Sequence, residues 1–143
     1  MSSLDEGQQA DGGRGSTRCA ERAPVGERGP LCYANGRLVP EAEACISVLD
    51  HAVLYGDGVF DTSLVIDGRM ILRARHIDRL LTTCDAFSLA VERTDLDDLI
   101  DSTVAPGKTG ALRLTVTRGP GGRGLEAAAD QAPTLLASFS SLQ

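Results

Sequence analysis

The run Gly119-Pro120-Gly121-Gly122-Arg123-Gly124 sets an arginine among glycines, directly after a strand-like stretch. Backbone N–H groups in such a loop form concavities that favour anions, and a guanidinium adds a permanent positive charge. The same residues spell G-x-G-x-x-G, the spacing of a dinucleotide-binding loop. That use needs a long helix after the loop, a returning strand and an acidic residue about 20 positions further on. Only residues 125–132 stand between the loop and Pro133, so the dinucleotide reading fails. Two readings stay open. The segment is a mobile loop between two strands that presents Arg123 to an anion, or it is a flexible turn.

A second candidate is His76-Ile77-Asp78-Arg79-Leu80, with Arg73 and Arg75 just before it. Early helical N–H groups and neighbouring guanidinium groups suit a phosphate. The plainer reading is a solvated charged face. A third candidate, Tyr55-Gly56-Asp57-Gly58-Val59-Phe60-Asp61, reads as a close backbone approach or bulge before an apolar strand. Its spacing by itself demands no catalysis.

Amine chemistry has little to work with. Thirteen arginines accompany a single lysine, Lys108, in the turn-forming run Pro106-Gly107-Lys108-Thr109-Gly110. Arginine stays protonated and cannot serve as an amine nucleophile. Cys19, Cys32, Cys45 and Cys84 form no C-x-x-C pair, and His51 and His76 lie far apart, so no metal site is expected. A net charge of −6 argues against nucleic acid as a partner. Residues 1–10 carry no apolar signal region, and no apolar run approaches a membrane span. Free thiols in a reducing cytoplasm are expected.

The elements that must position these residues can be read from periodicity. Residues 1–29, rich in Gly, Ser, Glu, Arg and Gln, are expected to form a disordered tail, and residues 30–143 one small domain. Asn35-Gly36 and Asp67-Gly68 mark two hairpins. Ile77, Leu80, Leu81, Cys84 and Phe87 predict a helix over 77–87 with one apolar stripe. A second helix is expected over 95–103, with Thr94 as its cap and Asp97 in a box-like position. Strands are expected over 111–117 and 134–139. Segregated strands and helices favour an α+β fold, a sheet with helices on one face.

Taken in order, Asn35-Gly36-Arg37, residues 55–61, Ile66-Asp67-Gly68-Arg69, residues 76–80 and Thr117-Arg118-Gly119 with its following glycine run resemble the N-terminal domain of the class IV, or fold type IV, pyridoxal-phosphate enzymes. These include branched-chain and D-amino-acid aminotransferases and 4-amino-4-deoxychorismate lyases. The resemblance covers about residues 31–142. It implies that Arg79 contacts the cofactor phosphate, that Phe60 faces the substrate, and that Arg123 helps hold a substrate carboxylate across a homodimer. Leu125 stands where the D-enzyme pattern has His, and Leu64 where the branched-chain pattern has Arg. The glycine run looks most like the lyase branch.

In that family the Schiff-base lysine lies in a C-terminal domain, which this chain is expected to lack. Lys108 is a poor substitute. The resemblance therefore implies a protein inactive alone. It would use pyridoxal 5'-phosphate, and an amino acid or amino-chorismate substrate, only with a separate lysine-bearing half. The contrasting expectation is a non-catalytic interaction module or a truncated gene product.

Overall fold

The computed structural model describes residues 31–34, 36–128 and 130–142. The expected disordered tail over 1–29 lies outside the described residues, as does Asn35. Among the described residues, six strands and three helices run in the order β1 (Leu31–Ala34), β2 (Arg37–Pro40), α1 (His51–Tyr55), β3 (Gly58–Ile66), β4 (Arg69–Met70), α2 (Arg73–Ala86), α3 (Arg93–Thr103), β5 (Gly110–Thr117) and β6 (Thr134–Ser141). A short 3-10 turn occupies Glu41–Glu43. The strands form one sheet in the order β2-β1-β6-β5-β3-β4, and every pairing is antiparallel. The sheet and its helices are those of the α+β fold expected from the sequence.

The pleat of β3 sorts its side chains strictly. Val59, Asp61, Ser63 and Val65 are buried, while Phe60, Thr62, Leu64 and Ile66 are exposed. Asp61 lies opposite Leu114 of β5, which lies opposite Ala137 of β6, so these three share one face. Against that face pack Ile77, Leu80 and Cys84 of α2, and Leu96, Leu99 and Ile100 of α3. The aliphatic alternation of β5 supplies the rest, with Leu112, Leu114 and Val116 no more than 1% exposed. Burying such side chains supplies most of the driving force for the layer.

Several boundaries differ from the periodic reading. α2 begins at Arg73, one turn before the apolar stripe, and Phe87 is its exposed C-cap rather than a stripe member. The stripe ends in Leu89, which follows Ser88 in the left-handed region at φ 53°. α3 is capped by Glu92, whose box partner is Asp95, and not by Thr94 with Asp97. Asp97 has another task. With Asp101 it receives the guanidinium of Arg73, which ties α2 to α3. The hydrogen bond to Asp101 above all, opposed by burial, raises the pKa of Arg73 further.

Both turn signals mark hairpins. Ala34 lies opposite Arg37, with Gly36 at φ 77°. Ile66 lies opposite Arg69, with Asp67 and Gly68 both at positive φ, the geometry of a type I′ turn. Gly68 is doubly constrained, because a Cβ there would meet Pro106 Cα at 2.8 Å. β4 itself is only two residues long, since Leu72 turns into the left-handed region at φ 52° and α2 begins.

Two outcomes follow from this packing. Leu114→Ala should lower unfolding free energy by about 2–5 kcal/mol, whereas Leu64→Ala on the exposed face should change it by about 0.5 kcal/mol or less, both read by urea denaturation. Burial pushes the thiols of Cys84 and Cys32 up, with Asp85 and Glu41 adding to the shift. A raised pKa means less thiolate at any given pH. Alkylation of both cysteines in the folded protein should therefore be slow near pH 8, should rise as pH increases beyond the ordinary thiol range, and should become fast in denaturant, as mapped by mass spectrometry.

Candidate functional site

The three residues singled out by sequence stand in different surroundings. Arg79 lies on α2 at the edge of its apolar stripe. Its Nε donates to Asp61 Oδ2 and its Nη2 to Asp61 Oδ1, each at 2.8 Å. His76, one turn earlier, donates from Nδ1 to the same Oδ1 at 2.8 Å. The Asp61 side chain is 3% exposed and that of Arg79 is 65% exposed. One edge of the guanidinium is thus held by a buried carboxylate and the other faces outward. Nη1 makes no hydrogen bond among the described residues. Because α2 starts at Arg73, Arg79 stands well inside the helix, away from the free N–H groups of its first turn. Arg73 is spent on α3, so the cluster of three arginines reduces to Arg79 and the exposed Arg75.

Phe60 points to the opposite face of the sheet, where the residue is 59% exposed. The guanidinium of Arg113 stacks on it, 3.6 Å from the ring centroid. Pairing across β3, β5 and β6 places Arg113 beside Thr62 and Ser138 on this face. A cavity of about 320 Å³ opens beyond it, lined in part by Cys32, Cys45, Ile46, Arg113, Thr115 and Ser138. Leu64 and Ile66 continue the exposed apolar stripe of β3. The sequence places Arg113 only within a strand expected over 111–117. Its neighbours come from strands distant in sequence, so no local signal could show them.

Arg123 is exposed and makes no hydrogen bond among the described residues, but the loop that carries it is anchored, unlike a merely flexible turn. His51 N donates to Gly119 O and Gly121 N to Leu49 O, each at 3.1 Å. His51 Nε2 donates to Gly122 O at 3.1 Å, and Gly124 N donates to the Tyr55 hydroxyl at 2.8 Å. The peptides on either side of Arg123 are therefore gripped by two side chains of α1. Gly119 has φ 86°, and a Cβ there would overlap Ala132 O at 1.9 Å, so the loop entrance requires glycine.

Asp50 holds this arrangement to the sheet. Fully buried, it caps α1 through Ala52 N at 2.8 Å and accepts from Thr117 Oγ1 at 2.8 Å and Thr134 Oγ1 at 2.9 Å. Thr117 ends β5 and Thr134 starts β6, so one carboxylate joins both ends of the glycine-rich loop to α1. The preceding turn is closed similarly. Arg118 pairs with Asp57 and donates from Nη2 to Phe87 O at 2.7 Å. The close approach expected at Gly58 is present, since a Cβ there would lie 3.0 Å from Val116 O. Sequence reading missed α1 and Asp50, because a five-residue helix carries no usable periodicity.

Among the described residues no group of three or more His, Cys, Asp or Glu is placed to hold a metal ion, and no helix is long and apolar enough to cross a membrane.

Comparison with known proteins bears on this surface. The family model described as amino-transferase class IV matches residues 58–143. A Methanocaldococcus jannaschii protein, provisionally named as a branched-chain-amino-acid aminotransferase, is 36% identical over 107 residues, 72% of this chain and 37% of that one. A crystal structure of 4-amino-4-deoxychorismate lyase from Pseudomonas aeruginosa superposes with a TM-score of 0.69 at 34% identity, over 78% of this chain and 40% of that one. A hypothetical aminotransferase from Mycobacterium tuberculosis, in its PLP-bound form, superposes with a TM-score of 0.67 at 25% identity, over 79% and 40%. The chain spans about two-fifths of the length of the curated relatives it matches.

The Asp50 junction makes a measurable demand. Asp50→Ala strands two buried hydroxyls and an N–H group, and should cost on the order of 3 kcal/mol by chemical denaturation. Tyr55→Phe removes only the acceptor for Gly124 N. It should speed hydrogen exchange at that amide while lowering global stability by no more than about 1.5 kcal/mol.

Proposed function

This chain belongs to the class IV aminotransferase family, and on that premise we propose that it is the cofactor-phosphate-binding small domain of a pyridoxal-phosphate enzyme acting on amino acids or on 4-amino-4-deoxychorismate. The observation that carries the reading is the guanidinium of Arg79, held on one edge by a buried carboxylate and open on the other. A planar, permanently charged fork with free donors fits a phosphate ester. The donor set thus suits that end of the cofactor.

It does not supply the amine for the other end. Lys108 lies in the turn between α3 and β5, where its carbonyl accepts from Gly68 N at 2.7 Å and the residue is exposed to solvent. Pyridoxal phosphate, when bound, supplies the electron sink for chemistry at the carbon bearing the amino group. The residues of this chain bind and orient. Arg79 anchors the phosphate. Arg123, on its clamped loop, attracts a carboxylate. Phe60 offers an apolar wall that excludes water.

The exposed stripe of Phe60, Leu64 and Ile66 is the face on which a lysine-bearing part docks, because apolar surface of this extent favours association. A homodimer, reached through the same family likeness, and a reducing cytoplasm complete the proposal. Activity then belongs to the assembly and not to this chain alone.

The test is to incubate the chain with pyridoxal phosphate, reduce with borohydride and map the adducts by mass. The chain alone should give only slow, substoichiometric labelling of Lys108 and the N-terminal amine, unchanged in Arg79→Ala. Adding the C-terminal part of the Pseudomonas aeruginosa lyase should produce labelling on the added lysine that weakens at least tenfold in Arg79→Ala. Fast, stoichiometric labelling of Lys108 that disappears in Arg79→Ala would overturn the reading. Light scattering at micromolar concentration should show dimers or larger species.

A further inference from the structure

Asp61 stands on the buried face of β3 between Val59 and Ser63, in a layer otherwise packed with aliphatic side chains. A carboxylate in such a place is costly unless its charge is balanced and its oxygens are bonded. Here both oxygens are bonded, and every donor comes from α2. His76 Nδ1 reaches Oδ1, while Arg79 reaches Oδ1 through Nη2 and Oδ2 through Nε. The bidentate pairing fixes the plane of the guanidinium as well as its position. His76, three residues before Arg79 and on the same side of the helix, closes the remaining approach to Oδ1.

We propose that Asp61 is a positioning residue for phosphate recognition: with His76 it holds the Arg79 guanidinium edge-on to the sheet, so that the free Nη1 edge meets a phosphate monoester already aligned. The inference rests on the assignment of Arg79 to the cofactor phosphate. Nothing in the residue types alone requires it. The pleat requires only that residue 61 point into the core, where a valine or leucine would pack like its neighbours. A free arginine loses side-chain freedom when it binds an anion. In this chain that loss is met on folding, because the fork is immobilised before any ligand arrives. The carboxylate also opposes an anion electrostatically, so the two effects predict opposite results when its charge is removed. The alignment effect is the larger, because Asp61 is buried behind the guanidinium while the phosphate meets the solvated edge, where charge repulsion is screened.

The experiment titrates pyridoxal phosphate into the 143-residue chain and follows its 31P resonance, with pyridoxal, which lacks the phosphate, followed by proton NMR. Arg79→Ala should abolish the phosphate-dependent part of binding. Asp61→Asn should weaken pyridoxal phosphate binding about tenfold and leave pyridoxal unchanged. Asp61→Glu, which keeps the charge but displaces the carboxylate by one methylene, should weaken it similarly. In the unsubstituted chain the Arg79 Nε–H, assigned by its loss in Arg79→Lys, should exchange slowly with solvent. That measurement stands even where an Asp61 variant does not fold. Unchanged or tighter binding in Asp61→Asn, with Arg79→Ala still defective, would overturn the positioning role and leave the phosphate assignment intact. Fast exchange at the Arg79 Nε–H would also overturn it. No 31P response at millimolar concentration, or none that Arg79→Ala abolishes, would instead overturn the phosphate assignment on which the inference rests.

Discussion

The pleat of β3 is the constraint from which the rest of the molecule follows. A strand with one buried face sends successive side chains to opposite sides, and a slip of one residue would exchange them all. With β3 in its observed register against β5, Val59 and Val65 meet the helices, and Phe60, Leu64 and Ile66 meet solvent. The same register sends Asp61 inward. Its charge then has to be answered from α2, and His76 and Arg79 answer it. Core, apolar open face and basic edge are three consequences of one strand's phase.

A second organising point lies at the far end of the sheet. Asp50 binds α1, the end of β5 and the start of β6 in one fully buried cluster. The glycine-rich loop between those strands is therefore not free to wander, although glycines would allow it. His51 and Tyr55 grip its tip, and Arg123 projects from an arch fixed on both sides. Buried polar networks are favourable only when their members are satisfied. Here one atom is not: His51 Nδ1 has no partner among the described residues. The ring nevertheless stands edge-on to Tyr55, so packing and the bond to Gly122 orient it.

The candidate residues stand in separate parts of the fold. Arg79 belongs to the helical side of the sheet, Phe60 and Arg113 to the open side, and Arg123 to the loop beyond α1. No direct contact joins the three among the described residues. A ligand that used all of them would have to span elements that this chain holds apart. That division accords with a chain that spans about two-fifths of its relatives' length and presents an open apolar face.

Much of this was legible in the sequence. Asn-Gly and Asp-Gly specify hairpins through the positive φ they tolerate, and alternation over 111–117 specifies a half-buried strand, because both signals are local. The order of motifs, and not any contact, is what singles out Arg79, Phe60 and Arg123 as candidates. What the sequence could not reveal is which charges meet. Asp57 lies in a stretch that reads only as a close backbone approach, yet it pairs with Arg118. Asp97 reads as a helix-box residue, yet it receives Arg73. Asp50 and Asp61 carry no local signal of burial, yet both are buried hubs. Local periodicity determines the elements and the phase of their faces. The partners of a buried charge are set by strand register and helix placement between residues 15 to 84 positions apart, and only the folded chain decides those.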